Sequence, residues 1–239
     1  MLIAWLFPES GPLSGGDDAF AILATVGASL GVAPLFIAYV MGLLGVFSMG
    51  HEYRHGMIRA TLTALPSRTS VLAAKVVTTA TIALVVAFAS SILTLFSAAI
   101  FSVGMPSFSG WRDLTLATVL YTVLFALSGL AMATITRNQT FAVVLVLLIP
   151  TVVESIIKTI ILAIKVSSDD PTATGGIASI VRFLPYDAGG QMYTRISIGR
   201  MLELFGIVPF GPVGGGLVMG TFVAALLAIS AVLFIRRDA

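Results

Sequence analysis

The 239-residue chain contains no cysteine. That excludes disulfides, a thiolate nucleophile and Cys-ligated metal centres. Charge is scarce as well: Asp, Glu, Lys and Arg make up 10% of the residues, against about 25% in soluble domains. Only two histidines are present, so imidazoles alone cannot complete a catalytic zinc site, which takes three protein ligands. No G-x-x-x-x-G-K-[ST] loop occurs, and the polar segments are too short for a nucleotide-binding domain, so the chain is not itself an ATPase. The formal net charge is only +2, which gives no footprint for nucleic acid. What the chain does have is apolar surface. Hydrophobic residues reach 58% and the mean hydropathy is +1.06, the composition of an integral membrane protein.

A helix crosses the hydrocarbon core with about 20 apolar residues. Five segments are long enough, at about 19–48, 71–103, 114–135, 140–164 and 213–235. Backbone polar groups in lipid must be satisfied within the segment, so each is expected to be helical. The second is over-long for one crossing, which predicts tilt or projection beyond the bilayer. Pro34 and Pro150 fall inside spans and predict kinks. Met1–Phe7 is apolar but too short to span, and it lacks the basic region of a signal peptide. An odd number of spans then suggests that a first span is absent or truncated at the front. No internal repeat is visible, and one transmembrane domain, 1–239, accounts for the whole.

Orientation follows from the basic residues of the short loops. With the 49–70 loop inside, the inner side carries seven Lys/Arg against two Asp/Glu, and the outer side six against nine. The C-terminus is therefore expected in the cytoplasm. The outer region 166–212 is too long for a structureless connection. It is expected to form short helices on or dipping into the outer face, including the amphipathic run Ile196–Ile207. Glu154 and Lys158 stand four apart and can pair along a helix. Counted from Arg137, they fall near the outer end of the fourth span, where a pair snorkelling to the interface is the plain reading and a translocation-path role the sharper one. Gly27-x-x-x-Gly31 and Gly216-x-x-x-Gly220 permit close helix contact.

The densest polar run is His51-Glu52-Tyr53-Arg54-His55-Gly56-Met57-Ile58-Arg59. It contains H-E-x-x-H, in which two imidazoles one helical turn apart hold zinc and the glutamate acts as general base. The third ligand would have to be a distant carboxylate such as Glu154 or Asp187, both predicted on the opposite side of the membrane. Arg54, between the histidines, would oppose a dication. An intramembrane zinc metalloprotease using His51, Glu52 and His55 thus stands as one alternative. A carrier driven by ion gradients, with Glu154 as proton site, stands as another.

The whole loop resembles the first cytoplasmic loop of the ATP-binding-cassette (ABC) type-2 permeases. The residues that carry the likeness are Glu52, Tyr53, Arg54, His55, Gly56, Ile58, Arg59, Thr61 and Leu62, then Leu65-Pro66-Ser67-Arg68, with Lys75 opening the next span. Met57 stands where the family often has Thr. Leu184-Pro185-Tyr186-Asp187-Ala188-Gly189 is similar to an element before the last span of many such permeases. The likeness covers about residues 19–239 and departs at the front, where the family has six spans. It implies an all-α, polytopic helical bundle with short outer helices before the last span. It also implies a membrane-spanning exporter subunit whose 49–70 loop docks on a separate ATPase. The docking residues would be Glu52, Tyr53, Arg54, His55, Gly56, Ile58, Arg59, Thr61, Leu62 and Arg68. Glu154, Lys158, Pro185 and Asp187 are candidates for a translocation path or outer gate. The chain would bind no cofactor, with ATP and Mg on the partner. It would pair with a second or related permease and be multi-pass in a prokaryotic inner membrane.

Overall fold

The computed structural model describes residues 16–25, 35–64, 67–101, 105–167, 176–194 and 210–236. These are almost wholly helical, with no strand among them. In chain order they form α1 (Gly16–Thr25), α2 (Phe36–Arg54), α3 (Ile58–Ala64), α4 (Arg68–Ile100), α5 (Phe108–Thr136) and α6 (Gln139–Leu148). A π-helical turn, Ile149–Val153, then runs into α7 (Glu154–Val166). A 3-10 segment (Gly176–Phe183), α8 (Pro185–Gly190) and α9 (Gly211–Arg236) complete the fold.

Four helices are long and apolar enough to cross a membrane: α4, α5, the continuous α6–α7 rod and α9. The protein is thus a helical, multi-pass membrane protein. The segment 19–48 is divided differently from a single long helix, because α1 ends at Thr25 and α2 starts at Phe36. Residues 26–34, with Pro34 and the Gly27–Gly31 pair, lie outside the described residues, as does the run Ile196–Ile207. The 33 residues of α4 span about 50 Å at the α-helical rise, well beyond a hydrocarbon core of about 30 Å.

Local chemistry sets the helix ends. Ser67, Ser107 and Asn138 each cap a following helix by accepting a backbone N–H three residues on, as short polar side chains do at N-caps. Arg137 closes α5 in the left-handed region (φ 52°), which makes a two-residue turn into α6. Gly56 (φ +66°) turns the chain between α2 and α3 at a backbone angle that side chains disfavour.

The centre of the bundle is α5. Of its most apolar stretch 61% is buried, against 22% in each of the other three spans. It packs on α2, α4 and α9. The α2–α5 crossing is very close: a Cβ on Gly45 would collide with the Ala126 carbonyl, and one on Gly129 with the Gly42 carbonyl. Without a hydrophobic drive between helices in lipid, close backbone packing of this kind is one source of association.

Candidate functional site

Alternation of the helices gathers the polar groups at the two ends of the bundle. The first end holds the α2–α3 turn, the starts of α4 and α6, and the end of α9. There Lys75 is the organising cation. Its Nζ meets Glu52 Oε1 at 2.5 Å and donates to the Ser48 carbonyl at 2.7 Å, tying the last turn of α2 to α4. Glu52 keeps only 13% of its side chain exposed, so it faces the bundle. Ile58 is buried too. Arg68 donates to the carbonyls of Phe234 (3.5 Å) and Ile235 (3.4 Å), where a cation meets the carboxyl end of α9 favourably. Tyr53 lies under the Arg137 guanidinium at 5.9 Å.

The outward face of the same turn carries His51, Arg54, His55, Gly56 and Met57, all exposed. The rings of His51 and His55 lie 4.2 Å apart, and His55 Nδ1 is 3.0 Å from the His51 carbonyl oxygen. Thr61 donates its hydroxyl to the Met57 carbonyl. Arg59 and Leu62 lie on α3, but their side chains fall outside the described residues. Among the described residues no group of three His, Asp or Glu is placed to hold a metal ion.

The second end holds a buried carboxylate. Glu154 is 3% exposed. Its two oxygens accept the backbone N–H groups of Tyr186 (2.9 Å) and Asp187 (2.8 Å). These are the unsatisfied donors of the first turn of α8, which begins with Pro185 and has Leu184, a side chain that cannot cap, before it. Glu154 therefore supplies from another helix the cap that the local sequence lacks. Lys158, one turn on, pairs with Asp187 at 2.5 Å. The spacing offers Glu154 and Lys158 to each other at a surface, yet the structure sends Glu154 to backbone N–H groups of α8 and Lys158 to the Asp187 carboxylate.

The π turn explains how Glu154 reaches inward. Ala142, Val146, Pro150 and Glu154 are all buried. Along a regular α-helix, twelve residues would leave Glu154 about 120° away from Ala142. One residue taken up by a π turn removes about 100° of that offset. Pro150, which has no N–H to give to the preceding turn, sits in this segment. Beneath α8, Tyr186 donates to Ser128 Oγ at 3.0 Å and its ring packs against Phe125 and Phe222. Burial pushes the phenols of Tyr186 and Tyr193 above their ordinary value. Gly215 brings α9 against the Ala188 carbonyl.

Sequence reasoning did not pick out Ser128, the Tyr121–Tyr193 ring pair at 5.0 Å or the Gly42/Gly45/Gly129 seam. The glycine spacing in α2 was the available signal. Of the flagged Gly216 and Gly220, the first approaches Met192, while the second has open space beside it.

No family model matches this chain. Nor does any curated protein.

Proposed function

We propose that the chain is the membrane-spanning subunit of an ATP-driven exporter of the ABC type-2 kind. In this reading the α2–α3 turn is the surface on which a separate ATPase docks. The observation that carries the reading is the division of that turn: Glu52 and Ile58 are anchored inward while Arg54, His55 and Met57 are exposed. A docking element needs both. Its exposed face meets the partner, and its anchors pass the displacement to α4 through Lys75 and to α9 through Arg68. ATP binding would then shift the bundle between inward and outward access, provided that the two nucleotide states contact the turn differently. Two permeases, identical or related, would work with two ATPases in a prokaryotic inner membrane, with the C-terminus cytoplasmic. Glu154, Lys158, Pro185 and Asp187 would stand at the outer gate. The pairing of Glu52 with Lys75 weighs against a free general base and so against the protease.

The test is purification with a candidate ATPase partner. Arg54→Glu combined with Met57→Asp should lose co-purification or uncouple ATP hydrolysis from export. Unchanged assembly, hydrolysis and export in that variant would sink the reading. The burial of Glu154 favours one other reading, a carrier driven by an ion gradient. Transport that persists without any ATPase and is abolished in Glu154→Gln would select it.

A further inference from the structure

Among the described residues at the α8 end of the bundle, the Arg182 cation has no counter-charge. Arg182, on the 3-10 segment, holds its guanidinium 4.7 Å from the ring centroid of Phe210 and 5.7 Å from that of Phe183. The two rings meet edge to face at 5.0 Å. The Arg182 Nε is buried without a hydrogen-bond partner, and among the described residues Arg182 makes no ion pair. Among the described residues of this end, Asp187 is engaged by Lys158 and Glu154 by backbone N–H groups. Apolar side chains surround this cation on the outside: Ile180, Phe183 and Phe210 are exposed at 53%, 56% and 36%.

The depth of the site follows from α9. Its 26 residues cover about 39 Å, against a hydrocarbon core of about 30 Å. Phe210, just before its first residue, therefore sits at the edge of the core, and the guanidinium over its ring sits among the headgroups. A rigid planar cation at that level, with donors to spare and flanked by exposed apolar side chains, matches an amphiphile whose anionic head lies over acyl chains. Guanidinium presents paired donors to phosphate oxygens, and stacking on aromatic faces holds it in place without neutralising it.

We propose that Arg182, with Phe183 and Phe210, forms a binding site for the phosphate headgroup of an anionic phospholipid in the leaflet at the α8 end. The site depends only on the chain spanning a membrane and stands whether or not the transporter reading does.

The experiment places a photoreactive p-benzoyl-phenylalanine at Ile180 in the full chain. The protein is reconstituted in nanodiscs of phosphatidylcholine with a minor share of phosphatidylglycerol, and lipid adducts are identified by mass spectrometry. Phosphatidylglycerol should be over-represented relative to the bulk by about fivefold or more, the scale of one basic contact at a membrane surface. Arg182→Gln should bring the ratio to that of the bulk, while Arg182→Lys should retain part of it. Phe210→Leu, which leaves the charge in place, should lower the enrichment and keeps the test valid should Arg182→Gln not fold. Equal ratios in the parent and Arg182→Gln would overturn the proposal. Enrichment erased by millimolar inorganic phosphate would also overturn it, since the site would then take a soluble anion. Adducts to a second copy of the chain in place of lipid would overturn it too.

Discussion

Removing the Glu154 carboxylate is the sharpest perturbation available. Glu154→Ala strands the backbone N–H groups of Tyr186 and Asp187, which it now satisfies at 2.9 and 2.8 Å. A hydrogen bond to a charged acceptor is worth about 1.5–3 kcal/mol, and a buried donor left unpaired loses comparable energy, so the two together cost about 3–6 kcal/mol. Glu154→Gln keeps one accepting oxygen and turns an amide N–H₂ toward the other N–H, for a cost of about 1.5–3 kcal/mol. The damage should be local, because α8 is held otherwise by the Lys158–Asp187 pair and the Tyr186–Ser128 bond. Two readouts follow. Thermal unfolding in nanodiscs should fall on the order of 10 °C for Glu154→Ala and less for Glu154→Gln, at about 2–4 °C per kcal/mol for a chain of this size. The absence of native cysteine also allows a single Cys at Thr194 to report opening, and its labelling by an impermeant thiol reagent should speed up in both variants. Glu154→Ala within 1 kcal/mol of the parent, with labelling unchanged, would refute the capping role.

Four further outcomes are expected. Glu52→Lys should weaken the α2–α4 brace and lower thermal stability, and adding Lys75→Glu should restore much of the loss, since the charges are exchanged across one contact; failure of the double variant to recover would mean that Glu52 acts on something other than Lys75. Gly129→Ala forces a methyl onto the Gly42 carbonyl and should destabilise by about 1–3 kcal/mol, whereas Gly220→Ala, with open space beside it, should be neutral within about 0.5 kcal/mol; equal effects in a denaturation series would discredit the α2–α5 seam. A Cys at Ser167 should react with an impermeant reagent outside intact cells and one at Ser67 only after permeabilisation, and the reverse pattern would invert the orientation. On the exporter reading, His51→Ala with His55→Ala should leave export substantially intact and the purified protein without stoichiometric zinc; one tightly held zinc per chain, lost in that variant, would promote the protease instead.

The sequence by itself determined the solvent of this protein and the starts of three long helical segments. Membrane residence follows from runs of about 20 apolar residues, a purely local quantity. So do the caps at Ser67, Ser107 and Asn138, whose side chains reach only three residues along the chain. The gathering of basic residues at the loop end is likewise a matter of counting along alternating spans. Tertiary structure alone decided which polar groups meet. Glu154 and Lys158 share a helix face by spacing, but their partners lie 29 to 33 residues away on α8. The register that delivers Glu154 depends on a π turn, which periodicity assuming 3.6 residues per turn cannot register. Glu52 finds Lys75 and Arg68 finds the end of α9 across sequence gaps that carry no local signal. The glycines of the α2–α5 seam matter because two backbones touch there, and a glycine's neighbour across a helix interface is set by packing, which no single segment encodes.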